Sequence, residues 1–80
     1  MIQICVTEED IKKGLRRSRC RCPIALATQR ALKRMTVVSP LGIYTSDDSY
    51  RHTGETLVFM SKFDQGMPVE PFTFSLVPKC

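Results

Sequence analysis

Cys22-Pro23 constrains this chain more than any other pair of residues. Proline can open a helix, where its missing N–H is not needed and its fixed φ is already helical, but inside one it kinks or breaks it. The stretch that it opens, Pro23-Ile-Ala-Leu-Ala-Thr-Gln-Arg-Ala-Leu-Lys-Arg-Met35, has helical periodicity. At about 100° per residue, Ile24, Ala31 and Met35 share a face, flanked by Ala25, Ala27, Thr28 and Leu32. Gln29, Arg30, Lys33 and Arg34 fall on the other side. The spacing predicts a helix that begins at Pro23 with Cys22 as its N-cap, runs towards Met35, buries one face and shows a basic one. Leu26 lands among the charges. It reads either as a single exposed apolar residue, which is ordinary, or as an apolar anchor ringed by cations in a binding surface.

The basic character extends backwards from this helix. Arg16, Arg17, Arg19 and Arg21 fall within six residues, and nine cations with no acid lie between Lys12 and Arg34. Guanidinium groups suit bidentate contacts to phosphate and carboxylate, and the partial positive charge of a helix N-terminus adds to them. Loop and helix together form one candidate ridge: Arg16, Arg17, Arg19, Arg21, Leu26, Arg30, Lys33 and Arg34. Such a ridge needs an anionic partner or a fully solvated position. No aromatic residues interleave with it for base stacking, and no helix-turn-helix, zinc-finger or RNA-recognition motif accompanies it.

The remaining elements come from local patterns. Ile2, Ile4 and Val6 alternate with Gln3 and Cys5 as in a strand with one buried face. Thr7 is a good N-cap for a helix of about two turns, with Glu8, Glu9 and Asp10 at its positive end, Ile11 and Leu15 turned inward and Gly14 as its stop. Thr36 to Val38 and Ile43 to Thr45 flank Ser39-Pro-Leu-Gly42, a turn sequence, and predict a hairpin. Ser46 to Thr53 reads as a polar loop. A further helix begins at Thr53 or Gly54 and runs through GETLVFMSKFDQG, with Leu57, Phe59, Met60 and Phe63 on one face and Gly66 with Pro68 as its stop. Val69 to Val77 alternates as one strand, with Phe72, Phe74 and Leu76 pointing one way and Pro71 favouring an edge or a strand start. The expectation is an α+β fold in one domain, residues 1–80, ordered β-α-α-β-β-α-β. A small mixed or antiparallel sheet of three to four strands would carry about three helices.

Chemistry-bearing residues are sparse. His52 is the single histidine and has no Ser, Cys or acid at a recognisable catalytic spacing. Cys20-Arg-Cys22 lacks the second ligand pair that structural zinc usually shows. No catalytic residues, metal ligands or cofactors are therefore assigned. The opening residues lack a secretory pattern and no apolar run approaches the roughly 20 residues of a membrane span, so free thiols in a reducing cytoplasm are expected. Cys80 is the residue placed to cross-link molecules after purification.

Four segments together carry a resemblance: VTEEDIKKG, CPIALA followed by an arginine, FDQG, and VEPFTFSL. In these the chain resembles a group of small proteins from phages and prophages, along nearly its whole length. The resemblance implies context and no catalytic residues. Small phage proteins without enzymatic motifs are often inhibitors of host machines, anti-CRISPR and other counter-defence proteins among them. Two functions are then expected. One is a non-enzymatic inhibitor, acting in the cytoplasm of an infected bacterium, whose ridge docks on a host defence protein or nucleoprotein complex. The other is a nucleic-acid-binding module that contacts phosphates through the same cations. The small core, the edge strand and Leu26 are compatible with a homodimer.

Overall fold

The computed structural model describes residues 2–78. The chain runs β1 (Gln3–Val6), α1 (Glu8–Lys13), α2 (Pro23–Leu32), β2 (Val37–Ser39), β3 (Gly42–Tyr44), β4 (Ser49–Arg51), α3 (Gly54–Asp64), β5 (Phe72–Ser75) and β6 (Val77–Pro78). The expected α+β class with three helices is present, and its strands are antiparallel. They form two small sheets in place of one: β1 pairs with β5, and the other four lie in the order β2-β3-β4-β6.

Both differences from the expected strand set have a physical reason. Ser49-Tyr-Arg51 has no apolar alternation, yet it pairs with β3 through Ile43↔Tyr50 and Tyr44↔Ser49. Its strand conformation comes from that ladder rather than from its own composition. The segment from Val69 to Val77 splits at Leu76. Before it, β5 pairs with β1 in the register Ile4↔Phe74; after it, β6 pairs with β4 through Arg51↔Val77. Leu76 is buried at the crossing and its N–H donates to the Ile2 carbonyl at 2.8 Å, which carries the ladder of the first sheet to the point where the chain changes sheets.

The helix starts reflect local chemistry. Thr7 Oγ1 accepts from the Asp10 N–H at 3.2 Å while the Asp10 carboxylate accepts from the Thr7 N–H at 2.9 Å, a reciprocal cap. Thr53 and Thr56 make the same exchange at the start of α3. Cys22 caps α2, its Sγ accepting from the Ala25 N–H at 3.4 Å, and Pro23 holds the first helical position. Gly14 ends α1 without a left-handed turn. It is needed for close approach, because a Cβ there would sit 2.6 Å from the Pro23 ring and 2.8 Å from the Asp10 carbonyl. The stop of α1 and the start of α2 thus touch.

The core joins Ile4, Val6, Ile24, Ala25, Ala27, Val38, Ile43, Phe59, Phe74 and Leu76, with Ile11, Met60, Phe63 and Phe72 packed against it. The Phe59 ring meets Phe72 at 4.8 Å between centroids and Phe63 at 6.1 Å. Several expectations about inward faces need correction, Ile2 among them, which is 47% exposed. Met35 lies beyond the helix, which ends at Leu32 because Lys33 adopts a left-handed conformation (φ 56°); Met35 is 72% exposed. Ala31 is exposed as well, and the buried stripe of α2 is Ile24, Ala25, Ala27 and Thr28. Leu15 lies past the end of α1 and is 53% exposed, and on α3 it is Thr56 rather than Leu57 that turns inward.

Candidate functional site: the basic loop and its two hollows

The segment between α1 and α2 is irregular but tied down at several points. The Leu15 N–H donates to the Arg21 carbonyl at 2.8 Å, closing the loop at its neck. Inside it, the Arg21 N–H donates to Ser18 Oγ at 3.1 Å. The Arg17 N–H donates to Asp64 Oδ1 at 2.9 Å, which fastens the loop tip to the end of α3. The Arg19 carbonyl accepts from the Val38 N–H at 2.7 Å, so the loop also covers the outer edge of β2, an edge that would otherwise offer unpaired backbone groups. Gln29 Nε2 donates to the Cys20 carbonyl at 2.8 Å and to the Thr36 carbonyl at 3.2 Å, stapling the loop to the segment after α2. Each of these anchors uses main-chain atoms of the loop. The guanidinium groups of its arginines take no part in them.

Arg16 makes a packing contact instead. Its guanidinium lies over Gly66, where an added Cβ would come within 3.0 Å of it. Gly66 has φ +79°, which favours glycine, and it stands just past the C-terminal end of α3, whose partial negative charge suits a cation. Two motifs far apart in the sequence, Cys22-Pro23-Ile24-Ala25-Leu26-Ala27 and Phe63-Asp64-Gln65-Gly66, are therefore joined through the basic loop.

The candidate ridge divides into two classes. Arg30 is half-exposed, but its guanidinium grips the buried Asp10 carboxylate through both nitrogens, at 2.6 and 2.9 Å, and also donates to the Cys5 carbonyl at 2.9 Å. It ties α2 to α1 and β1. Burial pushes the Asp10 carboxyl up, but the hydrogen bonds from Arg30 and from Thr7 outweigh it and hold the group below its ordinary value. Asp10 in turn raises Arg30. Arg34 pairs with Asp47 of the β3–β4 connection. Among the described residues, Arg16, Arg17, Arg19, Arg21 and Lys33 make no side-chain ion pair.

Two hollows flank the loop. On one side, Leu15, Leu26 and Met35 line a shallow depression of about 490 Å³ with Lys13, Cys20, Arg21 and Gln29 around it. Leu26, the apolar residue among charges, thus has two apolar neighbours, and periodicity assigns both of them to the core. On the other side, a narrower cleft of about 210 Å³ opens between the loop, the hairpin and α3. Its floor is Cys22, Ile24, Val38, Phe59, Met60 and Phe63, and its rim is Arg17, Ser18, Arg19 and Asp64. Burial pushes the Cys22 thiol up, against the Ala25 and Ile24 amides that favour its thiolate, and the nearby Asp64 carboxylate adds to the rise. It is a capping group in a protonated state rather than an activated nucleophile.

The other chemistry-bearing residues have structural neighbours. His52 joins the hairpin turn to α3, with Nε2 at 2.6 Å from the Ser39 carbonyl and Nδ1 at 3.0 Å from Thr56 Oγ1. Cys5 and Cys20 are exposed free thiols and Cys22 is a buried one; Cys80 lies outside the described residues. No described helix is long and apolar enough to cross a membrane. Comparison with protein families, curated proteins and solved structures finds no match for this chain.

Sequence reasoning locates the loop arginines and Leu26. It misses Gln29 and Asp64 as their supports, and it places Leu15 and Met35 in the core when they lie on the surface. The signal for Asp64 is its place in Phe-Asp-Gln-Gly at a helix end; for Met35 it is the pair of cations, Lys33 and Arg34, just before it.

Proposed function

We propose that this protein is a non-enzymatic binding protein that docks on an acidic protein surface through the 15–21 loop and the Leu15–Leu26–Met35 hollow. In the phage context implied by its resemblance, that surface belongs to a bacterial defence protein or nucleoprotein complex, which the protein inhibits in an anti-CRISPR-like manner inside the infected cell. The observation that carries the reading is the hollow itself: exposed Leu15 and Met35 beside Leu26, with Arg21 at the margin and Lys13, paired with Glu9, next to it. Arginine and methionine around an apolar centre are the composition of protein–protein contacts. The alternative, a phosphate-binding module, has fewer cations to draw on than the sequence suggests, because Arg30 and Arg34 are engaged with Asp10 and Asp47. Phe59, Phe63, Phe72 and Phe74 stack on one another against the core; Phe59 and Phe63 also floor the cleft beside the loop, where a base would meet a narrow space rather than an open aromatic face.

The test is affinity capture from nuclease-treated bacterial lysate with three proteins: the wild type, Arg19→Glu/Arg21→Glu, and Leu26→Asp. A defined protein that the wild type retains and both variants lose supports the reading. Loss by the charge variant alone, together with binding of purified DNA or RNA that weakens by about 10³-fold or more from low to physiological salt, favours the phosphate-binding alternative instead. Capture that neither variant reduces removes the loop from the interface.

A further inference from the structure

We propose that the cleft on the far side of the loop seats one apolar side chain of the partner, and that the partner segment carrying it has carboxylates on either side. The inference rests on the acidic-surface reading above and names a second contact within it. The cleft is the most enclosed apolar concavity beside the loop, with about 210 Å³ of space over Cys22, Ile24, Val38, Phe59 and Met60. Ile24 and Val38 are buried core residues, so this part of the floor is formed by the fold itself. A seat of this kind adds binding energy because it removes an apolar group from water without first having to order itself.

Charge decides what can enter. Arg17 and Arg19 stand on the rim with no carboxylate bound to their side chains among the described residues. Among the described residues Asp64 is the one acid of the rim, and its Oδ1 already accepts the Arg17 N–H. The rim therefore favours carboxylates flanking the inserted side chain and disfavours cations. The loop also links the cleft to the hollow at Leu26: Arg17 and Arg19 border one, Arg21 borders the other, and the Leu15–Arg21 hydrogen bond closes the loop between them. A partner segment crossing the loop would meet apolar, cationic and apolar surface in turn.

The experiment uses the whole protein, ¹⁵N-labelled, titrated with three short peptides: acetyl-Glu-Glu-Phe-Glu-Glu-amide, the same peptide with Ser for Phe, and acetyl-Lys-Lys-Phe-Lys-Lys-amide. The acidic Phe peptide is expected to shift the amide signals of Ser18, Cys22, Met60 and Asp64 and to bind at least about tenfold tighter than its Ser analogue, while the lysine peptide has no effect. Met60→Trp, which fills the cleft, is expected to abolish those shifts; its thermal midpoint reports whether the fold is kept. Equal binding of the Phe and Ser peptides overturns the proposal, as do shifts confined to Leu15, Leu26 and Met35. In both cases the acidic-surface reading stands. If neither acidic peptide binds anywhere, the proposal and that reading fall together.

Discussion

Six arginines stand between residues 16 and 34, and the structure uses them in two opposite ways. Arg30 and Arg34 give their guanidinium groups to Asp10 and Asp47, so their charge holds elements of the fold together. Arg16, Arg17, Arg19 and Arg21 contribute main-chain or packing contacts to the fold and form no ion pair among the described residues. A run of like charge is therefore no uniform surface. Whether a cation serves the fold or stays available to a partner depends on which of its atoms the fold needs.

The largest expected effect lies on the binding side of this division. Arg19→Glu/Arg21→Glu is expected to weaken partner capture by about 10²-fold, since two reversed charges turn attraction into repulsion across the contact. Arg30→Ala tests the other side. It leaves Asp10 buried without its counter-charge, and unfolding in urea is expected to show a loss of about 2 kcal/mol, below the value for a fully buried pair because Arg30 is half-exposed. The sign of its pH dependence sharpens the assignment. The Asp10 carboxyl is held below its ordinary value in the folded state, so its contribution is present above the unfolded value of about 3.9 and is lost as pH falls through the folded one. The gap between wild type and Arg30→Ala should accordingly narrow below about pH 4. A gap that stays constant down to about pH 2 would mean that the Asp10 pair is not its source.

Smaller effects separate the loop's backbone anchors from its side chains. Gly66→Ala is expected to cost about 1–2 kcal/mol, because alanine is strained at φ +79° and its Cβ would press on the Arg16 guanidinium. Asp64→Ala removes the acceptor of the Arg17 N–H and is expected to cost about 1 kcal/mol, with faster hydrogen exchange at Arg17 as its local signature. If that exchange is unchanged, the loop tip is not fastened by Asp64.

Much of the fold is legible in the sequence because it rests on short-range chemistry. Thr7 and Thr53 are good caps wherever they precede a helix, Pro23 announces a first turn, and Ser39-Pro-Leu-Gly42 is a turn by composition. The illegible part depends on partners far along the chain. Ser49–Arg51 becomes a strand because β3 lies beside it, and Leu76 divides a uniform alternation because two different neighbours stand on either side. The site obeys the same rule. The loop arginines are found by counting, but nothing near Arg30 says that Asp10, 20 residues earlier, is its partner. The exposure of Leu15 and Met35 is hidden for a related reason. Helical periodicity extrapolates past the helix ends, which Gly14 sets before Leu15 and the left-handed Lys33 sets before Met35.

The most direct measurement places Arg19→Glu/Arg21→Glu and Arg30→Ala side by side in urea unfolding. The expected result is a stability within about 0.5 kcal/mol of wild type for the loop double variant, against a loss of about 2 kcal/mol for Arg30→Ala. Equal losses in the two variants would contradict the division of the arginines into those the fold uses and those it leaves available, and with it the proposal that the loop is the binding surface.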